Sequence, residues 1–226
     1  MPVVKDTAYV PRNVISTGQS HIDEALAVGG LVNNCSYIIT GGANSGKSTW
    51  CLQTMNNICQ ANSSEFNGVY FSGEMDEQLF ITYAQRMNCL DVVYECPEDD
   101  IAFWHLFNEH NRNAKREGKK LIIVLDSLNH FAPTYTFQWY NEFHHQMRLN
   151  DVTSLVIAQV TATGNIRGGT RMNHKPEVII EFEINKDYEK TTQDRTCRIL
   201  KNRMGTIGKE VALTLTDKGF RKKAVR

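Results

Sequence analysis

The chain has 226 residues, 41% of them hydrophobic and 22% charged, and its 25 basic and 25 acidic side chains leave no formal net charge. That length suits one α/β domain with a well-buried sheet and is short for two independent domains. The neutral balance excludes a global basic field, so any nucleic-acid contact must come from a local patch.

Residues 1–34 are mixed and loop-rich, with Pro2, Pro11 and the Gly29-Gly30 pair. Within them Ser16-Thr17-Gly18 followed by His21–Leu26 predicts a turn and a short capped helix. This stretch reads as an N-terminal segment, a candidate subunit-contact region, ahead of a core over 35–226. From Cys35 strands alternate with helices. Cys35–Thr40 is a strand and Gly46 to about Cys59 a helix that starts in a glycine loop. Gly68–Ser72 is the next strand, Glu77–Met87 a helix, Val92–Cys96 a short strand and Ile101–Arg116 a helix. Leu121–Asp126 and Ser154–Gln159 are continuous apolar runs separated by a helix over Phe137–Leu149, and such runs fit strands buried on both faces of a mainly parallel sheet. After Asn173 the texture changes. Glu177–Ile184, Arg195–Lys201 and Glu210–Thr216 alternate apolar with polar residues and predict antiparallel strands joined by turns at Asp187–Gln193 and Met204–Gly208. The predicted fold is α/β, a parallel core flanked by helices with a C-terminal antiparallel extension.

The six cysteines (Cys35, Cys51, Cys59, Cys89, Cys96, Cys197) form no Cys-x-x-Cys pair, which argues against a zinc ribbon and for reduced thiols in a cytosolic protein. His144 and His145 are adjacent, and His105 and His110 are five apart; neither spacing presents two ligands on one helical face. The first residues lack a signal-peptide pattern and no apolar run approaches a membrane span, so a cytoplasmic location without membrane contact is expected.

The chemistry begins at Gly41, Gly42, Ala43, Asn44, Ser45, Gly46, Lys47, Ser48 and Thr49. Glycine, four residues, glycine, lysine and serine make a loop whose backbone N–H groups can surround phosphate oxygens, with the positive end of the following helix facing the same anion. Lys47 would reach the β- and γ-phosphates and the Ser48 hydroxyl would bind Mg²⁺. The four fixed positions recur by chance in roughly one chain in a hundred of this length, and the strand before and helix after supply the context the motif requires. ATP with Mg²⁺ is therefore the expected cofactor. Asp126, ending an apolar strand, either holds the Mg²⁺ through a water or caps the next turn; with the loop present the metal role is the expectation. Glu74, just beyond the strand ending at Ser72, can orient and deprotonate an attacking water, although most glutamates are merely solvated. Gln159, at the end of its run, is either a sensor of the γ-phosphate or a satisfied sheet-edge amide.

These residues in this order resemble the RecA-type ATPases, closest to the RadA (Sms) branch and similar also to DnaB-type helicase motors. Four stretches carry the resemblance: Ser16-Thr17-Gly18 with His21–Leu26 and Gly29-Gly30; Phe71-Ser72-Gly73-Glu74 with Gln78 and Arg86-Met87; Val160-Thr161, Gly164-Asn165-Ile166, Gly168 and Arg171; and Lys201-Asn202-Arg203-Met204-Gly205. The last is nearly the RadA signature Lys-Asn-Arg-Phe-Gly, with Met204 in place of Phe. The resemblance covers about residues 14–220. It implies a catalytic Glu74, a Mg²⁺-linked Asp126, a γ-phosphate sensor at Gln159 and Arg86 beside the nucleotide. It also implies that Lys201 and Arg203 reach the ATP of a neighbouring subunit; the alternative is two solvated cations on an exposed strand. The chain departs from RadA in having Gln159 where RadA has His. Its length and cysteine pattern leave no room for RadA's zinc module and protease-like domain, so a single-core form of the type phages encode is expected.

The segment Thr161–Lys175 is glycine-rich and carries Arg167, Arg171, His174 and Lys175 with no acid, which suits contact with a single-stranded DNA backbone or, alternatively, a surface loop that binds nothing. In Ser127–Gln138 the aromatics Phe131, Tyr135 and Phe137 could stack on bases or pack in the core, and the basic C-terminus (Lys218, Arg221, Lys222, Lys223, Arg226) could add phosphate contacts. The expected protein is a DNA-dependent ATPase of recombination or repair. It would be assembled head to tail as a ring or filament with ATP between subunits, working with recombination or replication proteins. The alternatives are a DnaB-like helicase motor, a KaiC-like nucleotide-gated scaffold without DNA function, and a binding module that has lost turnover.

Overall fold

The computed structural model describes residues 13–132, 134, 136–161, 165–185 and 194–223. Strands β1 (Val14–Ile15) and β2 (Leu31–Val32) pair antiparallel around helix α1 (Ser20–Ala25). The alternating region follows as β3 (Ser36–Gly41), α2 (Lys47–Ala61), β4 (Phe66–Ser72), α3 (Glu77–Met87), β5 (Val93–Glu95), α4 (Asp100–Arg116), β6 (Lys120–Asp126), α5 (Leu128–Phe131), α6 (Thr136–Leu149) and β7 (Thr153–Ile157). A short 3₁₀ helix (Thr170–His174) leads into β8 (Val178–Ile184), β9 (Asp194–Asn202), β10 (Glu210–Thr216) and β11 (Gly219–Lys222).

Among the described residues nine strands form one sheet in the order β11-β10-β9-β8-β3-β7-β6-β4-β5. The six from β8 to β5 run parallel, and β9 to β11 extend the sheet antiparallel. This is the architecture of a RecA-like core. The order explains the sequence texture. Strands β3, β6 and β7 lie inside the sheet with helices on both faces, so every side chain of Leu121–Asp126 is buried. Along β3 the faces alternate: Tyr37 and Ile39 join the core beneath α2 and α3, while Ile38 joins the core beneath α4 and α6. Each such fully buried aliphatic side chain stabilises the fold by about 1.5–3 kcal/mol. On β9 only Arg195, Cys197, Ile199 and Asn202 are buried, giving the polar–apolar alternation of a half-covered strand.

Capping sets where two helices begin. Asp76 accepts from the Leu79 N–H at 2.8 Å and Asp99 from the Ala102 N–H at 2.8 Å. Helix α2 starts differently, after Gly46 at φ +97° with no side-chain cap, and this leaves its first N–H groups free for another acceptor.

Several elements differ from expectation. The pairing of β1 with β2 escapes a pattern reading because each strand has two residues. Residues 13–34 share the core beneath α2 through Ile15, Ile22, Leu26 and Leu31, so packing is continuous across position 35. The expected loop at 127–138 contains α5, with Phe131 buried and Phe137 packed against the core. The basic residues Arg221 and Lys222 belong to strand β11, where Gly219 and Phe220 are buried. The turn over 187–193, Tyr135 and Arg226 lie outside the described residues. No helix among the described residues is long and apolar enough to cross a membrane.

Candidate functional site

The C-terminal ends of β3, β4, β6 and β7 open on one cavity of about 730 Å³, within the range of small-molecule sites (about 300–1,000 Å³). The glycine loop forms its floor. Gly41 has φ +137°, and a Cβ there would stand 2.1 Å from the Phe182 carbonyl oxygen; at Gly46 a Cβ would stand 2.4 Å from the Phe220 ring. No side chain can occupy either position without moving the sheet beneath the loop. Lys47 folds back over this loop, its Nζ donating to the carbonyls of Gly41 at 3.0 Å and Gly42 at 2.8 Å. Burial lowers the Lys47 pKa, against the opposing pull of Asp126 and Glu74. A cation held on two carbonyls beside a helix N-terminus without a side-chain cap is a cradle suited to a polyphosphate.

Asp126 is buried at the end of β6. Its Oδ2 accepts from the Tyr70 hydroxyl at 2.6 Å, while Oδ1 has no hydrogen-bond partner among the described residues. Burial raises its pKa, opposed by the hydroxyls of Tyr70 and Ser48. A buried, unsatisfied carboxylate oxygen next to the Ser48 hydroxyl fits a divalent cation or a water bound to one. Burial, with Asp126 next, pushes the Tyr70 phenol well above its ordinary value, so it remains a donor. The peptide between Asp126 and Ser127 is cis.

Glu74 follows β4, and its Oε1 accepts from the Ser127 hydroxyl at 2.5 Å and from the Gln159 amide at 3.2 Å. The Gln159 backbone N–H in turn donates to the Asn129 side-chain oxygen at 3.0 Å. Glu74, Asp126, Gln159 and Lys47 therefore converge although they lie on four separate segments. Arg86 lines the same cavity, its guanidinium 5.0 Å from the centre of the Tyr83 ring, and Tyr83 shares a 2.5 Å hydrogen bond with Thr49.

Sequence reasoning missed four groups here. Ser127 and Tyr70 contact the two carboxylates, Tyr83 joins α2 to α3, and Arg195 reaches from β9 to donate to the Asn44 carbonyl at 3.2 Å. A hydroxyl directly after the strand-end acid was a legible signal for Ser127. Nothing local marks Arg195, which the antiparallel extension carries to the loop. Arg195 lies opposite Ile184, at the loop end of the sheet.

Lys201 and Arg203 are at the other end. Lys201 pairs with Ile179, whereas the loop abuts Phe182, about 10 Å further along β8. The Lys201 ammonium donates to the Asn173 carbonyl at 2.7 Å and the Arg203 guanidinium to the His174 carbonyl at 2.6 Å. Beside Arg203 a second cavity is lined by His144, His145, Arg148, His174 and Lys175, among others. The buried Glu177 stands 3.6 Å from His144 and accepts from the Ser36 N–H at 2.8 Å.

The four basic residues of 161–175 are not brought together. Arg167 lines the cavity with the glycine loop, Arg171 is exposed on the 3₁₀ helix, and His174 and Lys175 belong to the far cavity.

No protein-family model matches the chain. Curated proteins do match it. The DNA repair protein RadA of Aquifex aeolicus is 25% identical over 215 residues, covering 91% of this chain and 45% of that protein. RadA of Pseudomonas aeruginosa is 26% identical over 223 residues, 94% of this chain and 45% of that protein. The chain is RadA-like, with a RecA-family relationship. RadA of Escherichia coli is 25% identical over 229 residues, again 94% of this chain and 45% of that protein. The chain thus spans less than half the length of the RadA proteins it matches.

Proposed function

We propose that this RadA-like chain is a Mg²⁺-dependent ATP hydrolase of DNA recombination or repair that binds single-stranded DNA and completes its active site between subunits. The observation that carries the reading is the convergence of Lys47, Asp126, Glu74 and Gln159 on a glycine loop whose helix N-terminus lacks a side-chain cap. Lys47 and the loop N–H groups would bind the phosphates, and Ser48 and Asp126 would hold Mg²⁺. When bound, Mg²⁺ neutralises charge on the phosphate oxygens. Glu74 would take a proton from the attacking water as its oxygen bonds to the γ-phosphorus and the bond to ADP breaks. Gln159, hydrogen-bonded to Glu74, would link the state of the γ-phosphate to the loop that follows it. Lys201 and Arg203 sit too far from their own loop to assist and would serve a neighbour's. There they would exchange the carbonyls of Asn173 and His174 for phosphate oxygens.

For DNA the reading rests on Arg171, His174 and Lys175. Arg167 is better assigned to the nucleotide side, because it shares the loop's cavity. The dispersal of these residues also favours a second reading, a nucleotide-gated scaffold whose turnover ignores DNA. Steady-state ATP hydrolysis with and without single-stranded DNA separates the two. We expect stimulation by DNA, and Arg171→Ala with Lys175→Ala should weaken DNA binding and lower its salt slope by about one per lost phosphate contact. Turnover indifferent to DNA, with affinity unchanged in the double variant, would leave the scaffold.

A further inference from the structure

Strand β4 and the residue that follows it each hold Asp126. The Gly73 N–H donates to the Asp126 carbonyl at 2.6 Å, and the Tyr70 hydroxyl donates to its side-chain Oδ2 at 2.6 Å. The register makes this possible: Ser72 lies opposite Asp126 and Tyr70 opposite Val124, so Tyr70 and Asp126 project from the same face two residues apart. Neither side chain has appreciable exposure, at 0% for Tyr70 and 1% for Asp126. The Tyr70 ring is itself fixed, with its centroid 5.0 Å from that of Phe80 on α3. One carboxylate oxygen is thus committed within the protein, and Oδ1 has no partner among the described residues.

This arrangement has a consequence for the cation. Mg²⁺ demands near-octahedral geometry and keeps several waters, so a carboxylate offering one oxygen satisfies it. Ca²⁺ takes six to eight oxygen ligands and readily uses both oxygens of a carboxylate. We propose that Tyr70 is a positioning residue that sets the cation preference of the site, leaving Asp126 one open oxygen, which suffices for a water of hydrated Mg²⁺ and denies Ca²⁺ bidentate capture. The inference rests on the nucleotide-site reading above and deepens it.

The test is a titration of the protein with a fluorescent ATP analogue in MgCl₂ and, separately, in CaCl₂, comparing wild type with Tyr70→Phe, Phe80→Leu and Asp126→Asn. Thermal melting accompanies each titration. In Tyr70→Phe the ratio of affinities should move toward Ca²⁺ by about tenfold, the size of one charge-assisted hydrogen bond. Phe80→Leu loosens the packing of the ring and leaves the hydroxyl, so it should melt earlier yet keep the wild-type ratio. Should Tyr70→Phe fold poorly, Tyr70→Met removes the same hydroxyl and must shift the ratio in the same direction. An unchanged ratio in the hydroxyl-free variants, while wild type binds in a cation-dependent way that Asp126→Asn abolishes, overturns the inference alone. A shift in Phe80→Leu as large as in Tyr70→Phe overturns it too. Wild-type binding that ignores the cation and is untouched by Asp126→Asn sinks the nucleotide-site reading, and the inference with it.

Discussion

Glu74 accepts two hydrogen bonds on the same oxygen, from Ser127 and from Gln159, so uncharged donors fix its carboxylate. Glu74→Gln keeps the shape and removes the base. Phosphate release should fall by about 10²–10⁴-fold, with nucleotide affinity retained; hydrolysis at the wild-type rate would place the base elsewhere. At the far end, Glu177 illustrates burial losing to polar neighbours. Burial pushes its carboxyl up, but His144 and the Ser36 N–H more than offset this and leave it below its ordinary 4.5. A depressed folded-state value contributes stability above pH 4.5 that is lost as pH falls through the lower folded value. Glu177→Gln should therefore be less stable than wild type by about 1–3 kcal/mol near neutrality, and the gap should close below pH 4.5. Urea melts across a pH series measure both limbs.

Among the elements, the antiparallel extension has the largest effect on the site. Phe220 of β11 stacks on Phe182 of β8 with centroids 5.4 Å apart, and its backbone N–H donates to Gln53 of α2 at 2.9 Å. Because the Phe220 ring fills the space beside Gly46, β11 supports the glycine loop from below. Phe220→Ala should cost about 3–5 kcal/mol in a denaturant melt and weaken nucleotide binding as well; stability lost without any change in affinity would show that the loop stands on its own. This support was not legible in the sequence. Lys218 to Lys223 read as a basic tail because two aromatic and glycine positions are too few to set a strand period. The interior strands were legible for the opposite reason: burial on both faces writes an unbroken apolar run, as in Leu121–Asp126. The glycine loop was legible because its geometry tolerates few residue types. Glu74, Asp126 and Gln159 could be found by their place at strand ends. Tyr70 and Arg195 could not, since their contacts depend on which strands become neighbours, β4 beside β6 and β9 beside β8.

At the scale of the whole molecule, the glycine loop and the Lys201–Arg203 pair occupy opposite ends of the sheet. If those cations serve a neighbouring copy, Lys47→Ala and Arg203→Ala should each abolish turnover alone. Mixed in equal amounts, they should recover roughly a quarter of wild-type activity, because an intact loop then meets an intact cation pair by chance. No recovery on mixing would return the pair to a structural role. The separation of the two ends also fixes an arithmetic. Copies that meet by unlike surfaces form either an open row or a closed ring. An open row of n copies completes n − 1 sites and always leaves one loop unserved, whereas a ring completes n. Turnover per chain would then climb gradually with concentration in a growing row and step to a plateau once a ring closes, so a kinetic curve alone would report the topology of the assembly.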